Sequence, residues 1–90
     1  MKSAKFMKQL SDFTGDARLY QLSDFVDYDE GKTKYIIVSA VVAPYSGSET
    51  YIFPANKKGE VIDWGELDGS FRGGLDHEQA LRNAGYEIAE

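Results

Sequence analysis

One uninterrupted stretch, Tyr35 to Ala43 (YIIVSAVVA), constrains this chain more than any other. In a strand, alternate side chains point to opposite faces, so Ile36, Val38, Ala40 and Val42 share one side. Tyr35, Ile37, Ser39, Val41 and Ala43 share the other. Both sides are apolar, which marks a central strand covered on each face, or covered on one face by a partner. The rest of the chain must therefore supply neighbouring strands and at least one covering layer.

The neighbours are legible on both sides of that strand. Leu19, Tyr20 and Leu22 predict a strand at about 17–22, continuing less regularly past Ser23-Asp24 to Phe25, Val26 and Tyr28. Asp29-Glu30-Gly31-Lys32 is turn chemistry. After the Pro44-Tyr45-Ser46-Gly47-Ser48 loop, Thr50 to Pro54 predicts a short strand. Asn56-Lys57-Lys58-Gly59 reads as a type I turn closed by a left-handed glycine, and Glu60 to Trp64 as the returning strand. The expected fold class is α+β: an antiparallel four-stranded meander with a short C-terminal helix packed on the sheet.

That helix carries signals at both ends. Asp76 suits an N-cap, Gln79 the reciprocal position of a capping box, and Glu78 and Arg82 the two ends of the helix dipole. Gly85 is placed to end the helix in a left-handed conformation, with Tyr86 folding back on Leu81 as in a Schellman ending. About two turns of helix are not stable alone in water, so Ala80, Leu81 and Ala84 must pack on the sheet. At the other terminus, Phe6, Met7, Leu10 and Phe13 fall at helical spacing, with Lys2, Lys5 and Lys8 between them. Residues 1–13 are thus expected as an amphipathic helix or an arm, and 14–90 as a single small domain.

Composition sets limits on chemistry. Ninety residues, 42% hydrophobic and 13% aromatic, make one folded domain near the lower size limit. Without cysteine there is no disulfide or thiolate site, and one histidine leaves little for zinc. No segment has signal-peptide or membrane-spanning character, so a cytoplasmic location without membrane contact is expected. Residues 1–45 hold six basic and six acidic side chains, residues 46–90 four and nine. The whole net charge of −5 therefore sits in the second half. Direct nucleic-acid binding is not expected; a basic or nucleic-acid-binding protein would suit the acidic half better, and solubility is the plainer reason for it.

The stretch from Asp63 to Gly74 is longer than a connection needs and holds the densest carboxylates, Asp63, Glu66 and Asp68. Hard cations favour such oxygens. Calcium-loop spacing fails, however: with Gly69 at the obligatory glycine, Trp64 and Leu75 fall where acidic ligands belong. Gly69, Gly73 and Gly74 match neither a P-loop nor a dinucleotide fingerprint. Asp76-His77-Glu78 gathers a base and two acids in sequence, but adjacent helical side chains diverge by about 100°. The simpler account of His77 is an exposed residue beside its cap. No catalytic residue, metal or cofactor is assigned.

Protein recognition is the reading that remains. Its expected contact residues are Trp64, Glu66, Asp68, Phe71 and Arg72 of the loop, with Tyr45 as a second anchor. Arg72 could equally tie the loop down by pairing with Glu66 or Asp68. The alternatives are a homodimer closing over the two-sided strand, and a weak divalent-metal binder or small enzyme using the acidic loop and His77. The segments FTGDARLYQL, YIIVSAVVAPYSGSETYIFPAN and DWGELDGSFRGGLDHEQALRNAGYE resemble small uncharacterised proteins of actinobacteriophages and some actinobacteria. That resemblance implies a phage accessory protein acting on a host protein in the host cytoplasm. It transfers no catalytic residue.

Overall fold

The computed structural model describes residues 2–10, 16–28, 31–43, 47–63, 67, 70–72 and 77–89. Six strands and one helix occur among them: β1 (Ser3–Leu10), β2 (Asp16–Tyr28), β3 (Gly31–Ala43), β4 (Gly47–Ala55), β5 (Phe71–Arg72), α1 (His77–Asn83) and β6 (Glu87–Ala89). The strands form one mixed sheet in the order β5-β4-β3-β2-β1-β6. All neighbours are antiparallel except β1 and β6, which pair in parallel.

β3 is central, as its two apolar faces require. Ile36, Val38 and Ala40 are buried on the side that carries α1, and Ile37 and Ser39 on the opposite side. The α1 side is the larger core: Ala4, Tyr20, Leu22, Ile36, Val38 and Ile52 pack beneath Ala80, Leu81 and Tyr86. Seven residues are too few for a self-sustaining helix. Complete burial of Ala80 and Leu81 supplies the stability instead. The ending follows the Schellman pattern: Tyr86 N–H donates to Leu81 C=O at 2.9 Å and Gly85 N–H to Arg82 C=O at 3.0 Å. Gly85 has φ +90°.

The opposite face is closed by a turn rather than a helix. Ala17, Leu19, Ile37 and Ala55 are covered by Leu10, Tyr35 and Val61. Asn56 organises the turn, its side-chain oxygen accepting from the N–H groups of Lys58 and Glu60. Gly59 N–H donates to Asn56 C=O at 3.0 Å with φ +89° at the glycine, the geometry expected of these four residues. The turn reaches across the sheet to β1, where Lys8 Nζ donates to Lys58 C=O at 3.2 Å.

Two expectations are corrected. The returning strand at 60–64 shrinks, among its described residues, to a single bridge between Val61 and Ala55. The amphipathic N-terminal helix is instead β1, a strand of the sheet. A bulge explains the misleading spacing. Ala4 and Phe6 pair with Leu22 and Tyr20, then the register slips between Phe6 and Lys8, so Leu10 pairs with Ala17. The slip turns Leu10 to the face opposite Phe6. Apolar residues that serve both sides of a bulged strand can mimic helical periodicity.

Candidate functional site

The structure relates the acidic stretch to the edge of β4. Glu49 and Thr50 pair with Arg72 and Phe71 of β5. Ile52 N–H donates to the hydroxyl of Ser70 at 2.9 Å, and Leu67 N–H donates to Ile52 C=O at 2.8 Å. Ser70 Oγ also donates to Leu67 C=O, so one hydroxyl stands in for a strand residue. Ile62 N–H donates to Pro54 C=O at 3.0 Å. Pro54 lacks an N–H, but that side of its backbone faces the connection rather than β3, so no ladder bond is lost. From Thr50 to Pro54 the outer edge of β4 is thus occupied. Leu67, Ser70, Phe71 and Arg72 of the stretch serve edge protection. Of the expected contact residues, Tyr45, Trp64, Glu66 and Asp68 lie outside the described residues, and Phe71 and Arg72 are described at the backbone alone.

His77 is buried, not exposed as its sequence position suggests. Its Nε2 lies 2.8 Å from the backbone oxygen of Asp16. A carbonyl only accepts, so Nε2 carries the proton and cannot serve as a base there. The carboxylate of Asp16 is 3.8 Å from the same nitrogen and also pairs with Arg18 at 3.3 Å, while Gln9 donates to it. Glu78 turns away to Arg82, 3.5 Å distant on the exposed side of the helix. His77 and Glu78 therefore do not converge, and His77 pins the helix start to the start of β2. Beside this cluster, burial pushes the Tyr20 phenol above its ordinary pKa; Arg18 opposes the shift, and Glu78 and Asp16 add to it. Among the described residues no group of three His, Asp or Glu side chains is placed to hold a metal ion.

The opposite edge of the sheet is different. β6 pairs with β1 at Ser3, Ala4 and Lys5 only. From Phe6 to Leu10 the outer side of β1 has no strand beside it among the described residues. Phe6 and Met7 there are 48% and 43% exposed, and the Phe6 ring meets Tyr20 edge-on at 5.9 Å. Lys2, Lys5 and Lys8 are the charged residues of this segment, with no acid among residues 2–10. Local spacing does not announce this edge, because the bulge disguises the strand.

A second concavity lies toward the other end of the α1 side. β2 leaves β3 between Gln21 and Val26, where four residues of β2 face Lys34 alone. The excursion leaves a pocket of about 310 Å³ lined by Lys2, Val26, Asp27, Ile36, Ile52, Leu67, Ala84 and Tyr86. Lys2 Nζ sits 5.0 Å from the centre of the Tyr86 ring. Burial raises the Tyr86 pKa, and the charge of Asp24 raises it further. These residues come from six separate stretches, and no local pattern announces them. No helix among the described residues is long and apolar enough to cross a membrane. Compared with known proteins, the chain matches no family model, no curated protein and no solved structure.

Proposed function

We propose that this chain is a small non-enzymatic protein-interaction module that captures an extended, acidic segment of a partner protein along the outer edge of β1. The observation that carries this reading is the contrast between the two edges of the sheet. The outer edge of β4 is covered from Thr50 to Pro54, whereas among the described residues no strand pairs with the outer side of β1 from Phe6 to Leu10, beside two exposed apolar side chains. Strand addition uses such an edge: the backbone supplies affinity and alternate side chains supply selectivity. Lys5 and Lys8 favour acidic residues in the added strand. They also disfavour a second copy of β1, which would bring like charges into one ribbon. In keeping with the resemblance of its sequence, the partner would be a host protein and the chain a phage accessory product.

The test uses two extended ten-residue peptides, one alternating Glu and Val and the other Lys and Val. The acidic peptide should slow hydrogen exchange at the backbone amides of residues 6–10, and Phe6→Ser with Met7→Ser should abolish the effect. Equal protection by the basic peptide, or no protection by either, overturns the proposal. So does a stable dimer in light scattering whose 6–10 amides are already protected.

A further inference from the structure

We propose that the pocket beneath Tyr86 binds a small zwitterion with an apolar side chain, of the class of free aliphatic or aromatic α-amino acids. The inference does not depend on the strand edge, since different residues and a different part of the sheet form it.

Size comes first. Ligand pockets run from about 300 to 1,000 Å³, and this one, at about 310 Å³, lies at the lower end. A cavity of that size accommodates a small molecule, and free leucine and phenylalanine are ligands of that kind.

Chemistry divides the wall from the mouth. Ile36 and Ile52 are each 1% exposed and form a dry floor, flanked by Val26, Leu67 and Ala84. An apolar side chain is the natural filling there. At the mouth, Lys2 has no carboxylate partner among the described residues; its ammonium rests over the Tyr86 ring. A ligand carboxylate could take that ammonium without breaking an ion pair. Asp27 is the acidic residue of the lining. Its carboxylate is 3.9 Å from Lys32, but both side chains are more than two-thirds exposed, and a pair of that kind holds weakly. A ligand ammonium could displace Lys32 from it. One positive and one negative group over an apolar floor match the two charges and side chain of an amino acid better than they match a simple fatty acid.

Methyl shifts of Ile36, Ile52 and Leu67 during titration with leucine and phenylalanine would read the site directly. Leucinamide lacks the carboxylate and 4-methylpentanoate lacks the ammonium, so these two probes separate the charges. The expected result is saturable shifts with leucine or phenylalanine, and affinity about tenfold weaker for each truncated probe. Lys2→Gln should erase the difference between leucine and leucinamide, and Asp27→Asn the difference between leucine and 4-methylpentanoate. Both positions are exposed, so these variants should keep the fold, and unchanged amide spectra without ligand would verify it. Equal binding of 4-methylpentanoate and leucine overturns the zwitterion assignment. Absence of any methyl shift overturns the site. Neither outcome bears on exchange at residues 6–10, so failure here and failure of the strand-edge proposal are distinguishable.

Discussion

Gly47 and Gly59 share a backbone conformation, with φ at +83° and +89°, but not an environment. A methyl group on Gly47 would meet nothing within 4 Å. On Gly59 it would lie 3.0 Å from Leu10 Cδ2 and 3.2 Å from Lys8 Cε, because here the turn crosses onto β1. Left-handed backbone costs an ordinary residue about 1–2 kcal/mol. Gly47→Ala should therefore lose about that much stability in urea denaturation. Gly59→Ala should lose more, and the difference measures how tightly the turn is pressed on Leu10. Equal losses would mean that Leu10 and Lys8 swing aside freely. Neither glycine's environment is visible locally, although the need for a left-handed residue at Gly59 can be read from Asn56-Lys57-Lys58-Gly59 alone.

Elements divide by how local their causes are. β3 and the end of α1 were readable because their determinants lie within a few residues: the two-faced apolar run, and Gly85 followed by Tyr86. β1 was not, since its bulge is fixed by pairing with β2 rather than by its own residues. Nor was the burial of His77, which depends on Asp16 some sixty positions away. The cover of β4 is also non-local, and Ser70 is its most economical part. Ser70→Ala would leave the Ile52 N–H without its acceptor, at a cost of about 1–3 kcal/mol. Hydrogen exchange should quicken most at the Ile52 amide. An unchanged Ile52 amide would show that the hydroxyl is not what closes this edge.

For the molecule as a whole, the two buried phenols tie stability to alkaline pH. Tyr20 and Tyr86 have pKa values raised above the ordinary 10.0, first by burial in both cases. In the unfolded chain these phenols ionise at about 10. Above that pH the folded state holds more protons than the unfolded one, so stability falls as pH rises. The contribution is whole below pH 10 and is lost as pH climbs through the folded values. Urea midpoints should decline above pH 10, and less steeply in Tyr20→Phe or Tyr86→Phe where that variant folds. A decline of the same steepness in both variants would assign the alkaline loss to other groups.

The parallel pairing of Ser3–Lys5 with Glu87–Ala89 also sets a timetable. A ribosome adding about 5–20 residues per second needs roughly 4–17 s to travel from the first of these segments to the second. Through that interval β1 has no outer neighbour along any of its length, and its lysines are the principal deterrent to pairing with a neighbouring nascent chain. Crowding of several ribosomes on one message would test that deterrent before the finished protein exists.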